Sequence, residues 1–271
     1  MKNIIRRILK NNPRVKKIYY LYLSLTTLTE WYVKPQIKKY INDKKSRFAV
    51  LDAGAGFGQY SYYISRRFPN VRITAMDLDQ SRVEGLKIFA RKFCPNLECL
   101  QANAVNLNIN AEFDLILCTD VLEHIYDDTK VIVNFYRALK RNGKLILNVP
   151  IRPQRRALRF LHKKNDFRPE RFGHVREGYT QEELIGKLSS NGFEIKKIIR
   201  FFGFFGSFGY ELFFVAQSNQ TLFFALAPFY FVFIHPFVLC AMMIDRISNV
   251  KDGNGVLVIA EKKSNNPGNE N

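Results

Sequence analysis

Three glycines and one aspartate form the pattern in this chain that points most directly to chemistry. Residues 50–58 read Val-Leu-Asp-Ala-Gly-Ala-Gly-Phe-Gly, so an apolar strand end is followed by Gly54, Gly56 and Gly58, and the next apolar run ends in Asp77. Glycine lets the backbone turn sharply and lie against a ligand, and a carboxylate at the end of the next strand can accept hydrogen bonds from both hydroxyls of a ribose. The spacing therefore predicts a site for an adenosine-containing cofactor.

The glycine spacing also bears on which cofactor this is. The fingerprint of nicotinamide and flavin sites is G-x-G-x-x-G, whose glycines bring the backbone against a pyrophosphate at a helix N-terminus. Here the spacing is G-x-G-x-G, and Gln59 occupies the place of the last glycine of that fingerprint. The pattern disfavours a pyrophosphate and favours a cofactor with one nucleoside and no phosphate. S-adenosylmethionine is such a cofactor.

Including the glycine loop and Asp77, the chain has four patterned segments in order, at residues 48–58, 73–77, 113–125 and 139–150. They resemble the first motif, the second strand, the fourth strand with its following loop, and the fifth strand of a class I S-adenosylmethionine-dependent methyltransferase. The third of them contains Thr-Asp-Val-Leu-Glu-His, and the fourth begins Leu-Lys-Arg-Asn-Gly where the family commonly has Leu-Lys-Pro-Gly-Gly. Residues 173–180, 191–193 and 253–262 extend the resemblance to the last strands.

The resemblance implies an α/β fold, a Rossmann-like, seven-stranded and mostly parallel sheet with helices on both faces. N-terminal helices and a hydrophobic helical insertion before the last strand would be added to it. The short apolar strands lack polar alternation, which is typical of a parallel sheet buried on both faces. We predict strands at 48–53, 71–77, 97–101, 113–118, 144–149, near 193–199 and at 256–261, and helices at 58–68, 80–93, 127–140 and 180–191.

The resemblance also divides the chain into four parts. Residues 1–47 form a basic N-terminal helical cap, residues 48–200 and 251–263 form the methyltransferase core, and residues 201–250 form the hydrophobic helical insertion. Within the core, residues 152–176 are the basic lid segment. Residues 264–271 are a polar tail that we predict to be disordered.

The resemblance assigns the cofactor site residue by residue. Asp77 would bind the ribose, Gly54 and Gly56 would let the backbone meet the methionine moiety, and Asp52 would lie beside them. The other predicted cofactor-binding residues are Gly58, Leu78, Asn103, Ala104 and Thr119. The family often has an acidic residue where Asn103 stands, facing the adenine amino group, and an asparagine oxygen can accept that hydrogen bond as well. Alternatively, Asn103 is only a loop residue.

Three residues are candidates for catalysis, on the resemblance and on their chemistry. Asp120 follows the fourth strand, whose carboxyl end faces the crevice where ligands bind in open α/β sheets, although a helix N-cap role is the alternative. His124 could act as a base toward a substrate hydroxyl, or it could be a packed histidine. His174, with Arg176, lies on the basic lid segment and could orient the substrate, or it could be a solvated loop residue. A base is needed only if the nucleophile carries a proton.

The positive charge of the chain, +18 over 271 residues, is confined to two segments. Residues 1–47 hold 13 basic and 2 acidic residues, and residues 152–176 hold 9 basic and 2 acidic residues. In the fold that the chain resembles, both segments cover the mouth of the active site. They would concentrate an anionic substrate there or contact an anionic membrane. Alternatively, they are solvated helix faces that keep the protein soluble.

A long uncharged stretch distinguishes the insertion. Residues 212–244 contain no Lys, Arg, Asp or Glu, which makes them a transmembrane candidate by hydropathy. A single crossing conflicts with the resembled fold, in which the strands on either side are neighbours in one sheet, and Pro228 and Pro236 interrupt the helix. We therefore predict a hydrophobic cap or a monotopic helix that dips into the membrane interface. A double span and a wholly buried helix pair are the alternatives.

What the sequence lacks narrows the function further. The four cysteines have no C-x-x-C spacing and no nearby histidine, so we predict no metal site, no disulfides and a reduced, cytoplasmic setting. Neither Asp-Pro-Pro-Tyr, Asn-Pro-Pro-Tyr nor Pro-Cys is present, and no RNA-binding module is recognisable, which disfavours nucleic acid. We expect methyl transfer to a lipid-like or envelope-related small molecule at the cytoplasmic membrane face. The alternative is a cofactor-binding scaffold without activity or a membrane-associated protein that binds a partner, and the oligomeric state is not predicted.

Overall fold

Seven strands form one sheet in the order β3-β2-β1-β4-β5-β7-β6 in the computed structural model, which describes residues 12–42, 47–155, 157–158, 173–218 and 228–263. The strands from β1 to β5 are parallel, and β7 runs antiparallel to both β5 and β6. Their bounds are Ala49–Ala53 (β1), Arg72–Asp77 (β2), Leu97–Gln101 (β3), Phe113–Thr119 (β4), Leu139–Pro150 (β5), Phe193–Phe201 (β6) and Gly255–Lys262 (β7). The predicted fold class is confirmed.

Helices cover both faces of the sheet, as an α/β layer fold requires. Their bounds are Pro13–Thr26 (α1), Leu28–Tyr40 (α2), Gln59–Arg67 (α3), Gln80–Phe93 (α4), Asp128–Ala138 (α5), Gln181–Ser190 (α6), Phe204–Ser218 (α7) and His235–Ile247 (α8). Short 3₁₀ turns follow β3 and β4, at Ala104–Asn106 and Leu122–His124. Successive residues of β1 pack into two separate cores, Val50 with α2, α3 and α4 and Leu51 with α5 and α6. The uninterrupted apolar strands are explained by this burial on both faces.

The fifth strand begins five residues earlier than the predicted strand at 144–149. Helix α5 ends at Ala138, and β5 begins at Leu139, which pairs with Phe113 before the register shifts between Phe113 and Leu115. Both Leu139 and Phe113 are buried, so their packing extends the pairing past the apolar run that the sequence suggested. Asn142, with φ near +59°, absorbs the irregularity.

Two helices of the hydrophobic insertion pack on α2 through one buried carboxylate. Asp245 of α8 accepts hydrogen bonds from Gly206 N, at 3.1 Å, and from the hydroxyl of Tyr32, at 3.2 Å. A π-helical turn, Tyr230–Ile234, leads directly into α8. Among the described residues, the stretch Tyr230–Ile247 is long and apolar enough to cross a membrane, and 33% of it is buried. The strands that flank the insertion, β6 and β7, pair along their length.

Helix α1 lies against the rim of the cofactor half of the domain. The amine of Lys16 donates to Gly85 O of α4, at 3.3 Å, and the hydroxyl of Tyr20 donates to Phe57 O in the glycine loop. Burial lowers the pKa of Lys16 to about 8. Residues 1–11 and 43–46 of the predicted basic cap, most of the basic lid segment and the predicted disordered tail lie outside the described residues.

Candidate active site

The glycine loop joins β1 to α3 through three left-handed backbone conformations. Gly54, Gly56 and Gly58 have φ values of +77°, +58° and +85°, which L-residues with a side chain rarely adopt. A Cβ at Gly54 would overlap Val121 and one at Gly58 would overlap Leu86, whereas a Cβ at Gly56 would meet only the Gly54 carbonyl, at 4.0 Å. The loop is therefore packed at both ends and open at its centre.

The carboxylate of Asp77 is fixed beneath this open centre. Its Oδ2 accepts from Gly56 N at 2.8 Å, and its Oδ1 accepts from Asp79 N at 2.9 Å. Arg82 approaches Oδ2 at 3.5 Å. Each carboxylate oxygen has two lone pairs, so after the two backbone hydrogen bonds both oxygens can still accept from a ligand hydroxyl. The geometry matches the predicted ribose-binding role.

The remaining predicted cofactor residues surround the loop unevenly. Asp52 is buried, accepts from Ser61 Oγ at 2.6 Å, and has its pKa raised to about 6 by burial. Asn103 uses its Oδ1 to accept from Val105 N at 2.9 Å, so its side chain already shapes its own turn. Leu78 is exposed beside Asp77, Ala104 is buried in the sheet core, and Thr119 is half-buried at the end of β4. Their roles toward a ligand stay predictions.

Asp120 lies where β4 ends, in a backbone conformation that few residues adopt. Its φ is +55°, its N–H donates to Asn148 O at 3.0 Å, and its Oδ1 accepts from Asn148 Nδ2 at 2.8 Å. Asp120 is exposed by accessible area because it opens onto a cavity, and the protein atoms packed around it there desolvate its carboxylate and raise its pKa to about 6. Its side chain does not cap the turn that follows, because that turn has Val121 at its N-cap and no side-chain capping bond. The N-cap alternative is therefore wrong.

The structure brings together His124 and His174, which are 50 residues apart in sequence. Their ring centroids are 4.8 Å apart at an angle of 82°. The Nδ1 of His124 donates to Gly173 O at 2.8 Å, and Val175 N donates to Glu123 O at 2.9 Å, so two hydrogen bonds hold the end of the basic lid segment against the β4 loop. Burial and the neighbouring His124 lower the pKa of His174.

Glu123 is a buried acid that the sequence analysis left without a role. It is 1% exposed, and its Oε2 has no hydrogen-bond partner among the described residues. Burial and the nearby Asp120 raise the pKa of Glu123 well above its usual range, against the opposing charge of Arg176. Asn148, which holds Asp120, was also missed. A polar residue within the apolar run Leu-Ile-Leu-Asn-Val, on the strand that pairs with β4, was the available signal.

Arg176 has a structural position in the wall of the site. Its guanidinium pairs with Asp128 and donates to Ile125 O at 2.6 Å and to Tyr126 O at 2.9 Å. The hydroxyl of Tyr179 donates to the same carboxylate at 2.8 Å. Burial raises the pKa of Asp128, but the hydrogen bonds from Lys187 and Tyr179 and the charge of Arg176 outweigh that effect and lower it. The guanidinium thus holds the lid end to α5, and a role of Arg176 in substrate orientation stays a prediction.

A cavity of about 1230 Å³ opens beside Asp120 and extends under the insertion. Its polar side includes Asp120, Glu123, His124, Asn148 and His174. The insertion contributes Phe213 of α7 and Val238 and Met242 of α8, together with the polar residues Ser207, Glu211 and His235. Leu23 of α1 and Phe201 at the end of β6 complete this apolar part of the lining. The glycine loop and Asp77 do not line it, but Val121, which follows Asp120 in the chain, packs on Gly54, so the loop and the cavity are neighbours.

A comparison with known families identifies the domain that builds this site. Residues 51–147 match the family model for a methyltransferase domain. This is a class I S-adenosylmethionine-dependent methyltransferase domain. The family predicted from the glycine loop and the strand motifs is confirmed, and S-adenosylmethionine is the cofactor of the domain.

Relatives of the methyltransferase domain include enzymes that methylate oxygen. The chain is 32% identical over 117 residues to a ubiquinone biosynthesis O-methyltransferase from Rickettsia prowazekii. The aligned residues make up 43% of this chain and 45% of the relative. It is also 26% identical over 140 residues to malonyl-[acyl-carrier protein] O-methyltransferase 1 from Ilyobacter polytropus. Here the aligned residues make up 52% of this chain and 50% of the relative. The chain thus spans about half the length of the curated relatives that it matches.

Solved structures share the fold of the methyltransferase domain at low sequence identity. Phosphoethanolamine N-methyltransferase 2 from Haemonchus contortus, in complex with S-adenosyl-L-methionine, has a TM-score of 0.57 and 18% identity over 84% of this chain and 51% of its own. A geranyl diphosphate methyltransferase with the same cofactor has a TM-score of 0.56 and 12% identity over 83% of this chain and 82% of its own. At these identities the likeness establishes the fold alone.

The residues of the methyltransferase domain fit this cofactor. The open space above Gly56, which a Cβ would enter without meeting a neighbouring side chain, leaves room for a ligand against the backbone. The carboxylate of Asp77 is fixed by two backbone N–H groups with acceptor capacity left on both oxygens. No pyrophosphate site is needed beside them, in agreement with the G-x-G-x-G spacing.

Proposed function

We propose that this chain transfers a methyl group from S-adenosylmethionine to an oxygen atom of a small, lipid-like or envelope-related molecule at the cytoplasmic face of a membrane. The methyltransferase domain supports the reaction class. The two O-methyltransferase relatives support a small molecule with an oxygen acceptor. The observation that carries the proposal is the cavity beside Asp120.

The cavity has the lining that an amphipathic acceptor requires. Asp120 and the two histidines line it beside β4, while Phe201, Phe213 and the apolar residues of α8, together with Ser207, Glu211 and His235, line the part under the insertion. Apolar surface removed from water contributes about 25 cal/mol per Å², so a hydrocarbon tail would be held under the insertion. A hydroxyl head would then lie among the polar groups. A fully polar metabolite would leave the apolar half of the cavity unused.

In this scheme the protein's own residues bind the cofactor, orient the acceptor and remove the proton of its hydroxyl. When bound, S-adenosylmethionine supplies a methyl group on a positively charged sulfur, which needs only an aligned nucleophile. Asp77 and the glycine loop would hold the nucleoside, and Val121 joins that loop to the acceptor cavity. Asp120 would accept the proton of the acceptor hydroxyl, because Asn148 fixes its carboxylate toward the cavity and its raised pKa of about 6 suits a base near neutrality.

Two apolar surfaces support a peripheral position on a membrane. Helix α1 exposes Ile18, Leu21 and Leu25 at helical spacing, and Phe233 and Phe237 project from the insertion. Tyr22 of α1 contacts Phe231 of the π-helical turn, with ring centroids 6.2 Å apart, so the two surfaces adjoin. The net charge of residues 1–47 favours anionic lipid beside them. Because β6 and β7 pair on either side of the insertion, we propose interfacial contact rather than a single crossing.

Transfer of isotope-labelled methyl groups tests the proposal. The purified chain is incubated with labelled cofactor and with the lipid and aqueous fractions of a membrane extract. We expect label in the lipid fraction, and we expect Asp120→Asn to lower the rate by about a hundredfold while binding S-adenosylhomocysteine normally. Label confined to the aqueous fraction would contradict a lipid-like acceptor. Binding of the cofactor without label in either fraction would favour an inactive scaffold.

A further inference from the structure

Two histidines and a glutamate on the polar wall of the cavity form a group that neither cofactor binding nor the role of Asp120 requires. We propose that Glu123, His124 and His174 bind one divalent transition-metal ion of the Zn²⁺ type at the acceptor end of the cavity. One ligand atom from each of the three residues lies within 4.8 Å of the other two. Cysteine spacing gave no sign of a metal site, and although Glu123 and His124 are adjacent in the sequence, only the fold brings His174 to them.

The donor set has the composition of a metal site that leaves a position open. Two imidazoles and one carboxylate are ligands that Zn²⁺ and related ions bind in catalytic centres, with further positions left for water or substrate. Two ligands bound to one ion at about 2.1 Å lie roughly 3.4 Å apart in a tetrahedral arrangement. The group therefore has to contract by at most about 1.4 Å from its 4.8 Å limit, which side-chain rotation provides.

Neighbouring backbone groups orient the ligands. Because Nδ1 of His124 donates to Gly173 O, Nε2 is the nitrogen of that ring left to bind a metal. Histidine ligands commonly donate their other ring N–H to a carbonyl or a carboxylate in this way, which fixes both tautomer and ring orientation. The bond from Val175 N to Glu123 O holds the chain beside His174 against the turn that carries the other two ligands.

Glu123 gives an independent indication of a missing positive partner. Glu123 is 1% exposed, and its Oε2 has no hydrogen-bond partner among the described residues. A buried carboxylate oxygen without a partner is costly, so such groups in native proteins are paired or bind metals. A cation between Glu123 and the two histidines would satisfy this oxygen.

The ion would act on the acceptor, and this part of the inference rests on the proposed function. As a Lewis acid it would bind the hydroxyl oxygen of the acceptor and lower the pKa of that hydroxyl. The O–H bond would break with its proton passing to Asp120 and its electron pair remaining on the oxygen. The same oxygen would then be held at the cavity end nearest the cofactor half of the domain.

Metal binding is measured directly, without an activity assay. Tag-free protein is stripped with a chelator and titrated with Co²⁺, whose visible absorption reports its ligands, and with Zn²⁺ in competition with a chromophoric chelator. We expect one ion per chain and a loss of affinity of about tenfold or more in His174→Ala and in Glu123→Gln. Glu177→Gln, which changes another acid on the cavity wall, is the matched control and should bind normally. Binding of S-adenosylhomocysteine by each variant shows that it is folded.

The outcomes separate this inference from the proposed function. Absence of stoichiometric binding, or binding that both ligand variants leave unchanged, overturns the metal site even if methyl transfer occurs. Stoichiometric binding that is lost in the variants upholds the site even if no labelled product forms. In that second case only the role in methyl transfer fails.

Discussion

At the residue scale, the glycines of the cofactor loop differ in what surrounds them. Gly54 packs against Val121, so its lack of a side chain is needed for the fold as well as for the backbone turn. Gly56 has open space above it, so its lack of a side chain matters chiefly for whatever lies against the loop. One glycine pattern in the sequence thus serves both the packing of the fold and the binding of a ligand, and substitutions at Gly54 and Gly56 distinguish the two.

We predict that Gly54→Ala and Gly56→Ala affect stability and binding in different proportions. Each places alanine in a left-handed conformation, which costs about 1–2 kcal/mol, and Gly54→Ala adds an overlap with Val121. Gly54→Ala should therefore lower the free energy of unfolding more. Gly56→Ala should keep most of the stability and lose affinity for S-adenosylhomocysteine.

Denaturant unfolding and calorimetry measure the two effects. Gly186→Ala is the control, because this glycine lies in helix α6 with no atom within 4 Å of an added Cβ. It should gain up to about 1 kcal/mol from helix propensity and leave binding unchanged. Equal losses of affinity and stability in both loop variants would contradict the distinction between the two glycines.

At the element scale, most boundaries followed from local patterns in the sequence. The apolar runs predicted β1 to β4 and β7 to within one or two residues. The helix predicted at 180–191 corresponds to α6, whose start is fixed by both hydrogen bonds of a capping box between Thr180 and Glu183. These elements are determined by neighbours along the chain. The extra length of β5 was not predicted, because it depends on the pairing of Leu139 with Phe113 across the sheet.

The acceptor half of the site could not be predicted to the same extent. Asp77 and the glycine loop lie on adjacent strands with a known register, so their proximity follows from the motif. His124 and His174 meet only because the end of the lid segment binds the β4 loop, and the insertion is held by Asp245, a buried acid far from its partners in sequence. Contacts of this kind leave no periodic signal.

Helix α1 provides a test of how the N-terminal helices dock. Lys16 is buried and its pKa falls from 10.5 to about 8, so the unfolded chain binds more protons than the folded chain between those values. Stability linked to Lys16 therefore rises with pH from about 8 to 10.5, and below pH 8 the burial costs about 3 kcal/mol. Replacing the amine by an apolar group should remove that cost.

We predict that the stability of Lys16→Met relative to the wild type is highest below pH 8 and declines toward pH 10.5. The lost hydrogen bond to Gly85 O reduces the gain without reversing its pH dependence. Unfolding by urea at several pH values measures the difference, and Lys17→Met, at an exposed position on the same helix, should show no such trend. A difference that does not change with pH would show that Lys16 keeps its ordinary pKa in the folded state.

At the scale of the whole molecule, positive charge and exposed aromatic surface occur on adjoining elements. Two aromatic side chains of the insertion are strongly exposed to solvent, Phe237 at 69% and Phe233 at 58%, although they belong to a segment without charged residues. Burying such side chains would contribute about 1.5–3 kcal/mol each. A soluble domain has little reason to leave them in water, and a membrane interface would cover them.

We predict that the chain floats with anionic vesicles at low salt and less with neutral vesicles. Raising the salt should weaken the interaction, because screening reduces the attraction between the basic segments and the lipid. Phe237→Ser should reduce flotation severalfold, while Leu100→Ser, on the opposite edge strand of the sheet, should leave it unchanged. Equal flotation of the two variants, or none of the wild type with any vesicle, would contradict the proposed membrane contact.

Every function proposed for the chain depends on the loop and carboxylate that hold the cofactor. Calorimetric titration with S-adenosylhomocysteine, in the wild type and in Asp77→Ala, measures this most directly. We predict one ligand per chain for the wild type and an affinity lower by about tenfold or more in the variant, since a hydrogen bond to a charged group contributes about 1.5–3 kcal/mol. Glu112→Ala, which breaks an exposed ion pair with Arg72, should bind like the wild type. Failure of the folded wild type to bind S-adenosylhomocysteine, or equal affinity in Asp77→Ala, would contradict the cofactor site formed by the glycine loop and Asp77.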